Sequence, residues 1–168
     1  MKTQTGLSES LEDYLEAILE LQETRHVARS KDIAEKLGVQ RGSVTGRLKS
    51  LAEKGLINYE AYGFITLTPE GEKTAGEIRR RHVIIKDFLS NILQLGDAEA
   101  DAAACRMEHV IDTKTIETLL RFMEFIERCP RTGSRWIRAF EEFCVAEKPD
   151  RKECEKCLGE APPAPPDL

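Results

Sequence analysis

Leu11, Tyr14, Leu15, Ile18 and Leu19 recur at helical spacing behind two serines that can cap, and predict a first helix over about residues 8–23. Ser30 is placed to cap a short helix that carries Ile33, Ala34 and Leu37 and ends at Gly38. The stretch Gln40-Arg41-Gly42-Ser43 opens a third helix, with Val44, Leu48 and Leu51 on one face and Gly55 as its stop. The period then changes from helical to alternating. Leu56–Glu60 and Phe64–Thr68 read as two strands, joined through Ala61-Tyr62-Gly63 as a tight hairpin. Thr68-Pro69 starts a long helix that runs to about Leu93, with proline at its first position. Beyond the break at Gly96-Asp97 a further helix holds Cys105, Glu108 and His109. The next presents Ile116, Leu119, Leu120, Met123 and Ile126 and ends at Cys129-Pro130, and a last one, about Ser134–Cys144, carries Trp136, Ile137, Phe140 and Phe143.

Two short helices linked through Gly38 and followed by a hairpin predict a winged helix-turn-helix. Ala34 is small where the helices approach, and Gly38 can take the positive φ of the turn. The third helix offers Gln40, Arg41, Ser43, Thr45, Arg47 and Lys49, side chains that reach base edges and phosphates in a major groove. Tyr62 and Gly63 at the hairpin tip are candidates for contact with the neighbouring backbone.

The chain carries a net charge of −5, which argues against a nucleic-acid partner until its distribution is considered. Residues 25–55 hold eight Lys and Arg against three Asp and Glu, so this window is +5 and the remainder −10. A basic segment on an acidic body fits a module that docks on phosphate; a winged helix that packs protein, with incidental surface lysines, is the plainer alternative. No run of 18 apolar residues is present and the polar first ten residues lack a secretory core, so the expected compartment is the cytoplasm, where thiols stay reduced.

Cys105-Arg106-Met107-Glu108-His109 places a thiol, a carboxyl and an imidazole at i, i+3 and i+4, on one helix face. Such a mixed donor set suits a divalent transition ion. Asp13 and Glu16 repeat the i, i+3 spacing on the first helix, and His82 lies on the long helix. Each piece also has an ordinary reading, as a small core residue, a solvated acid pair or a structural histidine.

The order of motifs resembles the iron- and manganese-dependent transcriptional repressor family typified by the diphtheria toxin repressor and the manganese transport regulator. The resemblance covers about residues 8–127. It rests on Glu12-Asp13-Tyr14-Leu15-Glu16, Asp32-Ile33-Ala34, Ser43-Val44-Thr45, Leu67-Thr68-Pro69-Glu70-Gly71, Arg81-His82 and Cys105-x-x-Glu108-His109. It implies a mainly α homodimer, with an N-terminal winged helix-turn-helix at residues 1–72 and an all-α metal-binding and dimerisation domain at 73–144, the linking helix starting near 69. It also implies an operator-binding repressor of metal-uptake genes, with Fe(II) or Mn(II) as corepressor. The implied ligands are Asp13, Glu16, His82, Cys105, Glu108 and His109. The set is a hybrid: manganese-type members share the Asp and Glu but have a carboxylate at the position of Cys105, whereas iron-type members have the Cys but Met at the position of Asp13. Lys86 and Asp101 fall where iron-type members carry Glu and His of a second site, and an ammonium cannot ligate. The chain also ends too early for the SH3-like third domain of iron-type members.

Residues 145–168 form a polar tail whose Pro-rich end is expected to be disordered. Cys129, Cys144, Cys154 and Cys157 lie outside the region of resemblance. Cys154-x-x-Cys157 has zinc spacing, and the four thiols could close a structural Zn(II) site or stay unconnected. Two other functions remain open: a winged-helix redox regulator using Cys105 or the Cys-x-x-Cys pair, and a metal-dependent hydrolase, for which the sequence shows no separate nucleophile or oxyanion motif.

Overall fold

The computed structural model describes residues 6–60, 63–128 and 133–145. Its elements are α1 (Glu9–Arg25), α2 (Ser30–Lys36), α3 (Arg41–Glu53), β1 (Ile57–Tyr59), β2 (Ile65–Leu67), α4 (Pro69–Asp87), a π-helical turn (Phe88–Ile92), α5 (Asp97–Met107), α6 (Thr113–Arg128) and α7 (Gly133–Val145). The fold is mainly α, with an N-terminal winged helix followed by helices.

The described residues of Met1–Val83 together with Ala104–Asp112 form one compact unit, and those of Ile84–Ala103 with Thr113–Leu168 form another. In the first unit Leu15 and Ile18 of α1, Ile33 of α2 and Leu48 and Leu51 of α3 are fully buried against Ile65 of β2. The helical spacing of these residues explains the burial: each helix turns one apolar stripe inward. Gly38, at φ +64°, lets the chain reverse between α2 and α3, and Val39 N–H donates to Ala34 O at 3.0 Å.

The hairpin pairs Ile57 with Leu67, Asn58 with Thr66 and Tyr59 with Ile65, antiparallel. Ile57, Ile65 and Leu67 face the core, while Asn58 Nδ2 donates to Thr66 Oγ1 at 3.1 Å on the outer face. Ala28 adds one more bridge to Ile65, with N–H···O distances of 2.9 and 3.3 Å. This bridge changes the expected cap of α2. With Ala28 committed to the sheet, Arg29 continues extended at φ −126° and ψ 150°. Arg29 is therefore the N-cap, without a side-chain cap bond, and Ser30 is the first helical residue.

Thr68 shows why α4 begins where it does. Its Oγ1 donates to Gly55 O at 2.7 Å and accepts Gly71 N–H at 3.1 Å, a side-chain cap. Pro69 follows at the position that needs no N–H. A Cβ at Gly71 would lie 1.9 Å from Leu56 O, so only glycine fits there.

In the second unit, Ile85, Leu89, Ile92, Ala100, Ile116 and Ile126 are buried. The long helix loses α geometry at Phe88, and the chain reverses with a positive φ at Gln94 (+58°), two residues before the expected break at Gly96. The Phe88 and Phe122 rings meet edge to face, centroids 6.3 Å apart. Among the described residues no helix is long and apolar enough to cross a membrane.

Candidate metal centre and DNA-binding face

Three chain segments of the first unit bring polar side chains to one place. α1 contributes Glu12, Asp13 and Glu16, α4 contributes His82, and the end of α5 with the turn after it contributes Cys105, Glu108 and His109. The sequence places all three of the last group on a helix, but α5 ends at Met107. The i→i−4 bond from Glu108 N–H to Ala104 O (2.9 Å) persists, so the helical stagger holds across the boundary while Glu108 and His109 stand on a turn. Cys105, Glu108 and His109 can each offer a ligand atom within 4.8 Å of the others.

Glu108 is the hub and is fully buried. Its Oε2 meets His82 Nδ1 at 2.7 Å, and its Oε1 lies 3.4 Å from His109 Nε2. His109 Nε2 is also 3.1 Å from Asp13 Oδ1, and its Nδ1 is 2.6 Å from Glu12 Oε2. Glu16 shares a hydrogen bond with Glu108. Burial, and then the charge of Glu16 and that hydrogen bond, push the Glu108 carboxyl up to about 9. Burial also raises Glu16, against the hydrogen bond to Glu108 and the nearby His82 and His109. Burial works against a charged His109, but hydrogen bonds to Asp13 and Glu12 and the charges of Glu108 and Asp13 outweigh it and raise it to about 10. Shared protons thus hold several acids together in a small space, the task a divalent cation performs in a carboxylate–imidazole site. The buried Glu108 Oε1 has no hydrogen-bond partner, and S, O and N donors surround it. The donor chemistry of Cys105, Glu108 and His109, with the unpartnered Glu108 oxygen among them, therefore fits a transition ion.

Glu12 and Arg81 belong to this environment and were not among the candidate ligands. Both appear in the motifs that carry the resemblance, but the i, i+3 spacing marks Asp13 and Glu16. Glu12 and Asp13 both lie between Leu11 and Leu15, so no local signal separates the buried acid from its neighbour.

In the second unit, Lys86 Nζ bonds Asp101 Oδ1 at 3.0 Å and Asp97 Oδ1 at 3.1 Å. These hydrogen bonds, to Asp101 first, raise the lysine. An ammonium thus stands between carboxylates where the resemblance implied second-site ligands in iron-type members.

On α3 and at its N-cap, Gln40, Arg41, Ser43, Thr45, Arg47 and Lys49 are all exposed, with Val44, Leu48 and Leu51 buried beneath them. Ser43 Oγ donates back to Gln40 O at 2.8 Å, which fixes the first turn. At the wing, the Arg29 guanidinium sits 5.1 Å from the Phe64 ring centroid. Tyr62 lies outside the described residues, as do Cys129, Cys154 and Cys157; Cys144 is exposed on α7.

The N-terminal DNA-binding domain of the iron-dependent repressors matches residues 6–64, and their metal-binding and dimerisation domain matches residues 68–137. An HTH-type transcriptional regulator of Methanocaldococcus jannaschii is 38% identical over 119 residues, covering 70% of this chain and 95% of that protein. The transcriptional regulator MntR of Salmonella typhimurium is 38% identical over 116 residues, 69% of this chain and 73% of that one. The manganese regulator SloR superposes with a TM-score of 0.62 at 31% identity, over 72% of this chain. The chain spans 56% of the SloR chain. The chain belongs to the iron-dependent repressor family, and is a metal-dependent DNA-binding transcriptional repressor.

Proposed function

We propose that Asp13, Glu16, His82, Cys105, Glu108 and His109 bind Fe(II) or Mn(II), and that this binding favours the form of α3 that fits an operator controlling metal-uptake genes. The observation that carries the reading is the meeting of these side chains, from three segments, around the buried Glu108. A bound cation would supply the positive charge that several carboxyls and a thiol need at close quarters. The rest is done by the chain. α1 holds Asp13 and Glu16 on one side and packs Leu15 and Ile18 into the core under α2 and α3 on the other. Fixing α1 at its acidic side therefore limits how the recognition helix can shift. Coupling of this kind is typically worth ~1–3 kcal/mol.

The protein in this reading is a cytoplasmic homodimer without enzymatic activity; its relatives are named as transcriptional regulators. Residues 1–72 serve as the DNA-binding domain, and Gln40, Arg41, Ser43, Thr45, Arg47 and Lys49 make its contacts, with five exposed polar side chains on α3 and a sixth at its N-cap in support. Two ions differ in support: the manganese-named relatives favour Mn(II), and the Cys105 thiol favours Fe(II). For Cys129, Cys144, Cys154 and Cys157 we propose a separate structural Zn(II), supported by spacing alone.

A gel-shift series with Fe(II), Mn(II), Zn(II) and chelator tests the central reading. Operator binding that appears with metal and is lost with chelator is expected. Binding that ignores metal but responds to thiol oxidants would instead favour the redox regulator.

A further inference from the structure

We infer that Glu12 is a positioning residue of the metal centre, holding His109 by Nδ1 so that Nε2 is the ligand nitrogen, with Arg81 as its buried counter-charge. The inference rests on the metal reading of the site and deepens it.

Glu12 is 0% exposed, on a helix turn between Leu11 and Leu15, both of which are buried in the core. A carboxyl in such a place is costly unless it is partnered. Its Oε2 lies 2.6 Å from His109 Nδ1, the shortest contact His109 makes among those described above, and the histidine is 97 residues away in sequence. The other ring nitrogen faces the candidate ligands: Nε2 is 3.1 Å from Asp13 Oδ1 and 3.4 Å from Glu108 Oε1. The ring is therefore gripped from behind by a group outside the ligand set and presents its free edge to that set.

Arg81 supplies a second, independent observation. It is 7% exposed on α4, and its Nη2 is 3.9 Å from Glu12 Oε1. Its Nε and Nη2 are buried without hydrogen-bond partners. A guanidinium held this way gives little directional bonding. What it provides is positive charge beside a buried acid, which keeps Glu12 a strong acceptor for the imidazole N–H. An acceptor on the far nitrogen fixes the tautomer and ring orientation of a ligating histidine and strengthens it as a donor. Because Glu12 sits on α1 beside Asp13, the same bond anchors the 104–112 segment to the helix under the DNA-binding face.

The test compares wild type, Glu12→Gln, Glu12→Ala and the double variant Glu12→Leu/Arg81→Leu, all as the full chain. The double variant removes both buried charges together, and so keeps the question answerable if Glu12→Ala leaves Arg81 unpaired and unfolds the protein. Three quantities are read: Zn(II) and Mn(II) affinity by direct titration, 15N shifts of the His109 ring in the diamagnetic Zn(II)-loaded protein, and thermal unfolding in chelator. We expect ~10–100-fold weaker metal binding for Glu12→Ala and for the double variant, with a smaller loss for Glu12→Gln, whose amide oxygen still accepts. The wild-type ring should carry its proton on Nδ1 and bind through Nε2, and the Ala and double variants should show mixed ring states. Variants that melt lower but keep wild-type affinity and wild-type 15N shifts would make Glu12 a core residue only, and overturn the inference. Wild type that fails to bind either ion sinks the metal reading itself, and the inference with it.

Discussion

At the scale of single residues, the centre is governed by protons. Glu108, pushed up to about 9, and His109, raised to about 10, both hold protons at neutral pH. In the proposed metal reading a cation takes the Glu108 oxygen and the His109 Nε2 lone pair, so binding must release those protons. Lowering the pH therefore favours the proton-bound cluster and weakens metal binding, and raising it toward about 9 strengthens binding. We expect apparent affinity to climb steadily from pH 6 to about pH 9, and calorimetry in two buffers of different ionisation heat to report released protons. Affinity that is flat across this range would contradict the geometry. Cys105 is a second residue-scale control. It is exposed and offers the soft donor of the set, so Cys105→Glu makes an oxygen–nitrogen site. Its response to Mn(II) should improve relative to Fe(II). The same metal order in both proteins would remove Cys105 from the ligands.

At the scale of elements, α3 and the start of α4 each depend on one position. Arg47 is exposed on α3 opposite the buried Leu48 and Leu51. If it meets phosphate, Arg47→Ala should weaken DNA binding about equally across sequences and reduce the salt slope by about 1. Unchanged affinity would place α3 away from DNA. Gly71 tests the fold instead of the interface. Its missing Cβ makes room for Leu56 O, which also accepts Thr68 N–H at 3.0 Å. Gly71→Ala drives a methyl into backbone that cannot yield, and should cost about 3 kcal/mol, the upper end of ordinary overpacking losses. Denaturant unfolding measures it; a loss below ~0.5 kcal/mol would mean that the β1–α4 junction is soft.

At the scale of the whole molecule, charge and apolar surface divide the work. The +5 window at residues 25–55 sits in a chain of net −5, so attraction to phosphate is concentrated on the helix-turn-helix. On α6, Phe122 and Phe125 are 41% and 56% exposed, and on α7 Trp136 and Phe143 are similarly uncovered. Such rings suit a partner surface, and the dimerisation domain of the family matches through residue 137. The variant Phe122→Glu/Phe125→Glu should shift light-scattering mass from dimer to monomer near 19.0 kDa, and should lose operator affinity while keeping metal binding. A dimer unaffected by both changes would locate the interface elsewhere.

The order of helices, the turn at Gly38, the stop at Gly55 and the wing could all be read from the sequence, because they depend on neighbours a few residues apart. A 3.6-residue period, a period of two and a residue that tolerates positive φ are local properties. So was the convergence of Cys105, Glu108 and His109, since helical stagger outlasts the end of α5 by the two residues it needs. Packing decided the rest. Nothing near Glu12 in sequence says that it, and not Asp13, is the fully buried acid, or that it grips a histidine 97 residues on. Ala28 as a sheet partner, Lys86 between Asp97 and Asp101, and the collision awaiting any side chain at Gly71 likewise depend on which distant segments touch. Burial and long-range distance set hydrogen bonding and proton affinity, and neither exists until the helices have packed.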